Sequence, residues 1–332
     1  MKKLFTILAV AAAMVSCAKE EVVSFDQGEA IEFGNAFVDN ATRADQATDP
    51  SYSTTTGKGV ALTQFNVYGA VEGVNIFNGN AVTKGDAAYG AAWTLTGAKQ
   101  YWIAGADYKF VGVVDGNKTG VTAITPDTAG LPSTISYTVD GATDLLCDVV
   151  TIDNATAPYS IVAFNYTHLL SKVKFSVKNT TDAAATNYRF VLTSAKLTNV
   201  YEDGVYNVNT DTWTPGATMR EYVLDNLTIN SAATQYHSQE VLLIPGSKKV
   251  GVYVKANIEA SSDNGTTWKV ISDVEKTFPN VVELEKAKAY NFIVELGVGT
   301  EIQFTATTMP EWGNGNTQDS DGDTVKDYIP LQ

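Results

Sequence analysis

The chain has 332 residues, of which 44% are hydrophobic and 10% aromatic, enough for a sizeable core and about two domains at roughly 150 residues each. Its formal net charge of −14 repels phosphate backbones, which argues against nucleic acid as a partner. The two histidines and two cysteines are too few and too widely spaced to indicate a zinc site or a histidine-based catalytic triad.

The N-terminus is typical of an export signal. Lys2 and Lys3 precede an apolar run, residues 4–15, that is too short to span a bilayer, so residues 1–16 are predicted to be a signal peptide. Small and apolar residues lead directly to Cys17, which resembles the bacterial lipobox and predicts an acylated cysteine. The alternative is an ordinary cleaved signal in which Cys17 carries no lipid.

The residues after Cys17 indicate where such a lipoprotein is displayed. Lys19 is followed by two glutamates, which resembles the export signal of lipoproteins on the outer leaflet of a Gram-negative outer membrane. This resemblance predicts an outer-membrane lipoprotein on the cell surface, attached by lipid rather than by charge. The alternative interpretation of the same residues is a solvated linker.

A first strand is predicted shortly afterwards. Ile31, Phe33 and Phe37 fall on one face at a period of two, and Glu32 and Gly34 fall on the other. This alternation is typical of a half-buried β-strand, with the three apolar residues facing a core.

Residues 38–59 form a polar tract that contains Arg43 and has too little apolar content to fold on its own. The only other arginines, Arg189 and Arg220, lie in or next to strand-like runs. An arginine-specific protease is therefore expected to cut first between Arg43 and Ala44, because exposed loops are preferred cleavage sites. The alternative is that Arg43 is a surface residue with no role.

A lipobox, a first strand and then an accessible Thr-Arg-Ala at 42–44 resemble the fimbrillins, the subunits of type V pili. The resemblance implies that residues 17–43 are a lipidated propeptide that an arginine-specific protease removes together with the first strand. A strand from another subunit then fills the groove that Ile31, Phe33 and Phe37 occupied, which satisfies exposed apolar side chains and unpaired backbone groups. In the family a stalk subunit donates its C-terminal segment, and tip subunits lack that ability. The C-terminal tail of this chain departs from an alternating donor strand, so the sequence leaves open a stalk, tip or accessory role.

Many short strands are predicted from residue 60 onward. Runs rich in β-branched and aromatic residues alternate with clusters of Gly, Asp, Asn and Pro, and no convincing amphipathic helix appears. One hairpin is expected at 258–271, where Asp263, Asn264 and Gly265 supply the positive φ angles of a tight turn. The predicted strands are 60–71, 91–95, 108–114, 134–139, 145–151, 160–166, 188–200, 205–208, 222–229, 240–245, 250–260, 289–296 and 301–306.

Two stretches of the body add to the resemblance. Trp102 precedes an aromatic strand, and residues 164–177 join an aromatic and a histidine to a strand of alternating apolar residues, both similar to fimbrillin patterns. The resemblance implies an all-β fold of two tandem antiparallel β-sandwich domains of the transthyretin-like type. Their predicted extents are 44–158 and 159–332, the second ending in a polar tail.

Two residues of the body are interpreted as structural. With Cys17 assigned to lipid, Cys147 has no disulfide partner and is predicted to be a buried core thiol. His168 is predicted to be a structural hydrogen-bonding residue rather than a catalyst.

The tail, residues 314–332, carries carboxylates at alternate positions. Asp319, Asp321, Asp323 and Asp327 resemble the calcium-binding aspartate loops of thrombospondin type 3 repeats. There is only one copy and no following helix with a bidentate glutamate, which favours a solvated acidic tail over a calcium site. No other cofactor is predicted.

Two function classes compete with the fimbrial subunit. The first is a permanently anchored surface lipoprotein that binds glycan or host protein, with stacking platforms supplied by Trp93, Trp102, Trp213, Trp268 or Trp312. The second is a glycan-cleaving enzyme, which requires a pair of carboxylates across a cleft. Nothing singles out such a pair among the 37 acidic residues, so the protein is predicted not to be an enzyme.

Overall fold

The computed structural model describes residues 28–38, 62, 64–84, 93–114, 120–181, 187–224, 228–229 and 236–309. Within these ranges every regular element is a β-strand, which confirms the all-β fold class. They include no helix with the length and apolar character needed to cross a membrane. The strands are β1 (Phe33–Val38), β2 (Gln64–Val71), β3 (Val74–Lys84), β4 (Trp93–Leu95), β5 (Tyr108–Val114), β6 (Val121–Pro126), β7 (Pro132–Thr138), β8 (Leu146–Ile152), β9 (Val162–His168), β10 (Ser171–Asn179), β11 (Tyr188–Tyr201), β12 (Asp203–Asn207), β13 (Thr212–Pro215), β14 (Met219–Leu224), β15 (Thr228–Ile229), β16 (Tyr236–Leu243), β17 (Gly246–Ala260), β18 (Lys269–Leu284), β19 (Ala289–Leu296) and β20 (Gln303–Met309).

The first sheet has seven strands in the order β1-β9-β8-β5-β2-β3-β4. Neighbouring strands are antiparallel except for β1 and β9, which run parallel. The sheet curls until its two edges approach each other, so that a Cβ atom placed on Gly34 of β1 would lie 3.5 Å from Trp93 Cδ1 of β4. The curled sheet encloses an apolar cluster, called here the inner core, to which Ile31 and Phe33 belong.

A smaller sheet, in the order β13-β12-β7-β6, covers the other face of the first sheet. Its central strands β7 and β12 are antiparallel, with Ile135 directly opposite Tyr206. Both side chains are buried in the same apolar cluster as Val111 and Val113 of β5. The seven-stranded sheet is therefore buried on both faces at β5, which explains the continuous apolar run in that strand.

The second half of the chain forms a sandwich of two sheets. One has the order β16-β10-β19-β20, and the other has the order β14-β11-β17-β18 with β15 also paired to β11. The pairing of β10 with β19 is parallel, and the other pairings are antiparallel. In the turn between β17 and β18, Asn264 and Gly265 have φ angles of 56° and 89°, as predicted. The prediction was wrong for Asp263, whose φ is not positive and whose carboxylate instead accepts a hydrogen bond from the Thr267 N–H at 2.8 Å.

The apolar residues form two clusters, the inner core and a larger one that continues from the small sheet into the second sandwich. Strands β9, β12 and β13 follow residue 158 in sequence, yet they pair with sheets that also contain earlier strands. The two halves are therefore joined through shared sheets. The domain division at residue 158 stays a prediction.

Cys147 lies on β8 with 5% of its surface exposed, which confirms the predicted buried thiol. The pKa of this thiol is raised to about 12, and burial is the largest cause. The nearby Asp148 and Asp211 carboxylates also raise it by smaller amounts, and Lys286 acts in the opposite direction.

We expect Cys147 in the chain starting at Ala18 to react with a thiol reagent at pH 8 at least about 100-fold more slowly when the protein is folded than when it is unfolded. The measurement is the labelling rate with and without guanidinium chloride, and equal rates would contradict the buried environment.

Candidate functional site

Residues 28–38, called here the leading segment, lie between β9 and the stretch that follows β4. On one side the Ile31 N–H donates to the Gln100 carbonyl at 2.8 Å, and the Trp102 N–H donates to the Glu29 carbonyl at 3.0 Å. These bonds attach the start of the segment to the stretch that follows β4.

On its other side the leading segment pairs with β9. The Val162 N–H donates to the Glu32 carbonyl at 2.9 Å, and the parallel ladder of β1 with β9 begins at the next residue. The ladder is irregular, because its register shifts between Gly34 and Phe37 before Phe37 pairs with Asn165. Parallel pairing is slightly less stable per residue than antiparallel pairing, so the ladder of β1 with β9 is weaker per residue than the antiparallel ladders of this sheet.

The side chain of Phe33 fixes the leading segment to the inner core. It is 5% exposed and is surrounded by the rings of Phe77, Phe110 and Phe164, called here the phenyl cage. Two of these rings meet Phe33 edge to face, with centroids 5.3 Å (Phe77) and 5.7 Å (Phe110) away, and Phe164 stacks on it at 6.3 Å. Ile31 is buried in the same core with 4% exposure.

Two glycines in the middle of strands make room for the aromatic rings. A Cβ atom on Gly69 would lie 2.8 Å from a ring carbon of Phe77 and 2.9 Å from one of Phe110. A Cβ atom on Gly112 would collide with the Tyr166 ring and hydroxyl. Neither glycine was among the predicted site residues, although an isolated glycine within a strand pattern is the signal for such a close approach.

The groove around Phe33 is apolar, and burial raises the pKa of two tyrosines in the inner core. Burial raises the pKa of Tyr108, whose hydroxyl accepts a hydrogen bond from the Ile103 N–H at 2.7 Å. Burial also raises the pKa of Tyr166 well above 10, and its hydroxyl has no hydrogen-bond partner among the described residues. In the same ranges, no group of three or more His, Cys, Asp or Glu side chains is placed to hold a metal ion. The groove is suited to binding an extended apolar strand.

The structure brings only part of the predicted site together. Ile31 and Phe33 lie side by side in the inner core, whereas Phe37 is described through its backbone pairing in β1. The remaining predicted site residues lie outside the described ranges: Cys17, Arg43, Ala44, Asp319, Asp321, Asp323 and Asp327.

The two arginines that the structure describes are both engaged within strands. Arg189 on β11 forms an ion pair with Glu259, with 2.6 Å between Nε and Oε2. Arg220 on β14 donates from Nη2 to the Val139 carbonyl at 2.5 Å. Paired strands do not fit the extended binding cleft of a protease unless they first open locally.

The tryptophans do not form a stacking surface in the described part of the chain. Trp102 is buried in the inner core, and Trp312 lies outside the described ranges. Trp93, Trp213 and Trp268 are half-buried, but the first belongs to the seven-stranded sheet, the second to the small sheet and the third to the turn before β18. No observation therefore favours the glycan-binding alternative.

His168 has the structural role predicted for it. Its Nδ1 atom lies 2.6 Å from Oδ2 of Asp144, and the two side chains are 4% and 2% exposed. The other oxygen of Asp144 accepts a hydrogen bond from the Leu145 N–H at 2.8 Å. The pair joins the end of β9 to the start of β8 within the protein interior.

Comparisons with known proteins agree with this architecture. A family model described as fimbrillin-like matches residues 42–312. A fimbrial protein from Bacteroides vulgatus is similar over 86% of this chain and all of its own, with a TM-score of 0.56 and 13% identity. A candidate cell-adhesion protein from Bacteroides uniformis covers 77% of this chain and 94% of its own at a TM-score of 0.52 and 15% identity. A candidate cell-adhesion protein from Bacteroides ovatus is similar over 86% of this chain and 98% of its own, with a TM-score of 0.50 and 16% identity. No curated protein sequence matches the chain.

Proposed function

Because the chain belongs to the fimbrillin-like family, we propose that it is a subunit of a surface fimbria that matures by losing its leading segment and assembles by strand exchange. Family membership itself supports a structural or adhesive role at the cell surface, in contact with other fimbrial subunits. Export as an outer-membrane lipoprotein through Cys17, and cleavage between Arg43 and Ala44, are further parts of the proposal. The protein acts as a building block, not as an enzyme.

The position of the leading segment is the observation that carries this proposal. The segment lies between β9 and the stretch that follows β4, and its removal would free the backbone groups of Gln100, Trp102 and Val162 together with the edge of β9. Unpaired backbone groups at a sheet edge are a template for another strand. An extended segment of a second subunit would restore the hydrogen bonds and cover the phenyl cage.

The energetics favour refilling of the groove over leaving it open. Burying a side chain such as Ile31 or Phe33 stabilises a protein by about 1.5–3 kcal/mol relative to leaving it exposed. Loss of the leading segment removes both contributions and also exposes the cage rings. An incoming strand that places apolar side chains at these two positions regains that free energy in the assembled fibre.

Cleavage at Arg43 fits the distribution of arginines. Arg189 and Arg220 are held in paired strands by their side-chain contacts, whereas Arg43 lies in a polar tract between the leading segment and β2. A cut after Arg43 separates the leading segment from the rest of the chain, which leaves the segment bound only by non-covalent contacts. The strand can then be exchanged.

Replacing Arg43 with alanine is expected to abolish maturation. The chain from Ala18, treated with an arginine-specific protease, should acquire an N-terminus at Ala44 and give a detergent-resistant ladder on an unboiled gel. The Arg43→Ala variant should keep its N-terminus and remain monomeric, because the remaining arginines are in strands. Arg189→Lys, which keeps a cation opposite Glu259, should be cut and form the ladder like the parent chain.

Two results would contradict this part of the proposal. A ladder formed by the Arg43→Ala variant would show that assembly does not depend on this cut. Cleavage at Ala44 without any ladder from the parent chain would show that copies of this subunit do not exchange strands with one another.

The remaining elements of the proposal concern the regions beside the groove. Residues 44–158 and 159–332 are proposed to be the two sandwich domains of the mature subunit, arranged in tandem. The acidic tail containing Asp319 and Asp327 is proposed to be a solvated segment. The arginine-specific protease and the outer membrane are the other partners expected for the precursor.

A further inference from the structure

The phenyl cage exists independently of the residue that fills it. Its three rings come from β3, β5 and β9, none of which belongs to the leading segment. Phe77 and Phe110 also pack on each other, with centroids 6.4 Å apart, and Phe164 packs on Phe65 at 5.4 Å. Loss of the leading segment would therefore leave a cavity whose walls are held in place by their own contacts.

The shape of this cavity fits a planar ring. Phe33 receives two edge-to-face contacts, with interplanar angles of 76° to Phe77 and 84° to Phe110, while its own plane is within 8° of the plane of Phe164. Such contacts contribute beyond the area they bury, because the electron-rich face of one ring meets the positive edge of another. An aliphatic side chain of similar volume would fill the space without them.

The flanking positions are less selective than the cage. Glu32 is exposed, so the residue before the aromatic can vary freely. A Cβ atom on Gly34 would lie 3.2 Å from Cγ2 of Ile161, which is a tight contact. Ile161 is 50% exposed and can move, so this position favours a small residue but does not require one.

Resting on the strand exchange proposed above, we infer that the groove selects its occupant through a single aromatic anchor. The partner is an extended segment that carries an aliphatic residue, then any residue, then an aromatic ring that enters the phenyl cage. Segments with the same overall hydrophobicity but no aromatic residue at that position are poor occupants. The cage thereby sets the register of the incoming strand as well as its identity.

The test is peptide exchange into the cleaved protein. The chain from Ala18 is cut after Arg43 and incubated with fluorescent peptides of residues 28–38, and the bound fraction is measured by anisotropy and gel filtration. The peptides are the natural sequence, Phe33→Leu, Phe33→Ala and, as matched control, Glu32→Ala. Because every substitution is in the peptide, the receptor is the same in all arms and its folding is unaffected.

We expect the natural and Glu32→Ala peptides to bind equally well. Phe33→Leu should bind about tenfold more weakly through loss of the ring contacts, and Phe33→Ala about 100-fold or more weakly. Equal binding of the Phe33→Leu and natural peptides would overturn the aromatic anchor and leave strand exchange intact. Failure of the natural peptide to enter the groove would overturn strand exchange itself, and the present inference with it.

Discussion

Replacing Phe33 with alanine is expected to lower the free energy of unfolding of the uncleaved chain by about 3–5 kcal/mol. The ring is 5% exposed and contacts three other rings that are themselves fixed, so the surrounding structure cannot collapse into the space. The measurement is denaturant unfolding followed by tryptophan fluorescence, which Trp102 in the same core should report.

Glu32→Ala is the matched control for this prediction. Glu32 is adjacent in the same segment, but its side chain is exposed, and surface substitutions usually change stability by no more than about 0.5 kcal/mol. Equal stabilities of the Phe33→Ala and Glu32→Ala variants would mean that the leading segment contributes little to the folded precursor. Loss of the leading segment would then create little driving force for another strand to bind in the groove.

Replacing Asp144 with alanine should be similarly damaging, at about 3–5 kcal/mol. The substitution leaves His168, which is 4% exposed on its side chain, without the carboxylate 2.6 Å from Nδ1. It also removes the acceptor of the Leu145 N–H, which leaves this N–H without the hydrogen bond it makes to Asp144. The shift of the denaturation midpoint relative to the parent chain measures the effect.

Asp153→Ala serves as the control in this case, because Asp153 is an exposed carboxylate that follows the last residue of β8. It should unfold at nearly the same denaturant concentration as the parent chain. If Asp144→Ala also unfolds there, the buried pair makes no net contribution to stability, and the interior around β9 tolerates the loss of the carboxylate beside His168.

The strand pattern could be predicted wherever side chains alternate cleanly. The predicted bounds of β5 and β19 match the structure residue for residue, since both strands are rich in aromatic and β-branched residues. Strand β3 was missed, because Asn75, Asn78 and the positive φ of Gly79 interrupt its alternation. Its position is decided by pairing with β2, which local propensity does not reveal.

Alternation predicted which face of a strand is apolar, but not whether the polar face meets water. In β10, Val173 and Phe175 face the core as predicted. Lys172 and Lys174 on the opposite face are nevertheless buried, and Lys172 lies 3.8 Å from Glu240 on β16. The burial of such residues depends on what packs above the sheet, which is information that a period of two does not contain.

Of the site, only the apolar face of the leading segment could be predicted from the sequence, and not the phenyl cage that receives it. The apolar face of the leading segment was evident because Ile31 and Phe33 are two residues apart. The cage that receives Phe33 was not, because Phe77, Phe110 and Phe164 come from strands far apart in sequence. Each is an ordinary strand aromatic until the sheet curls and brings them together.

The small sheet also constrains the order in which the chain can acquire its structure. Strand β7 pairs with β12, so during synthesis or export β7 emerges long before its neighbour, with β8 to β11 in between. Until β12 and β13 have emerged, the edge of β7 is unpaired and the cluster that contains Ile135 and Tyr137 lacks Tyr206. Pairings between distant segments slow folding, and exposed apolar surface promotes aggregation in the meantime. The precursor therefore completes its first half only after much of its second half has been delivered.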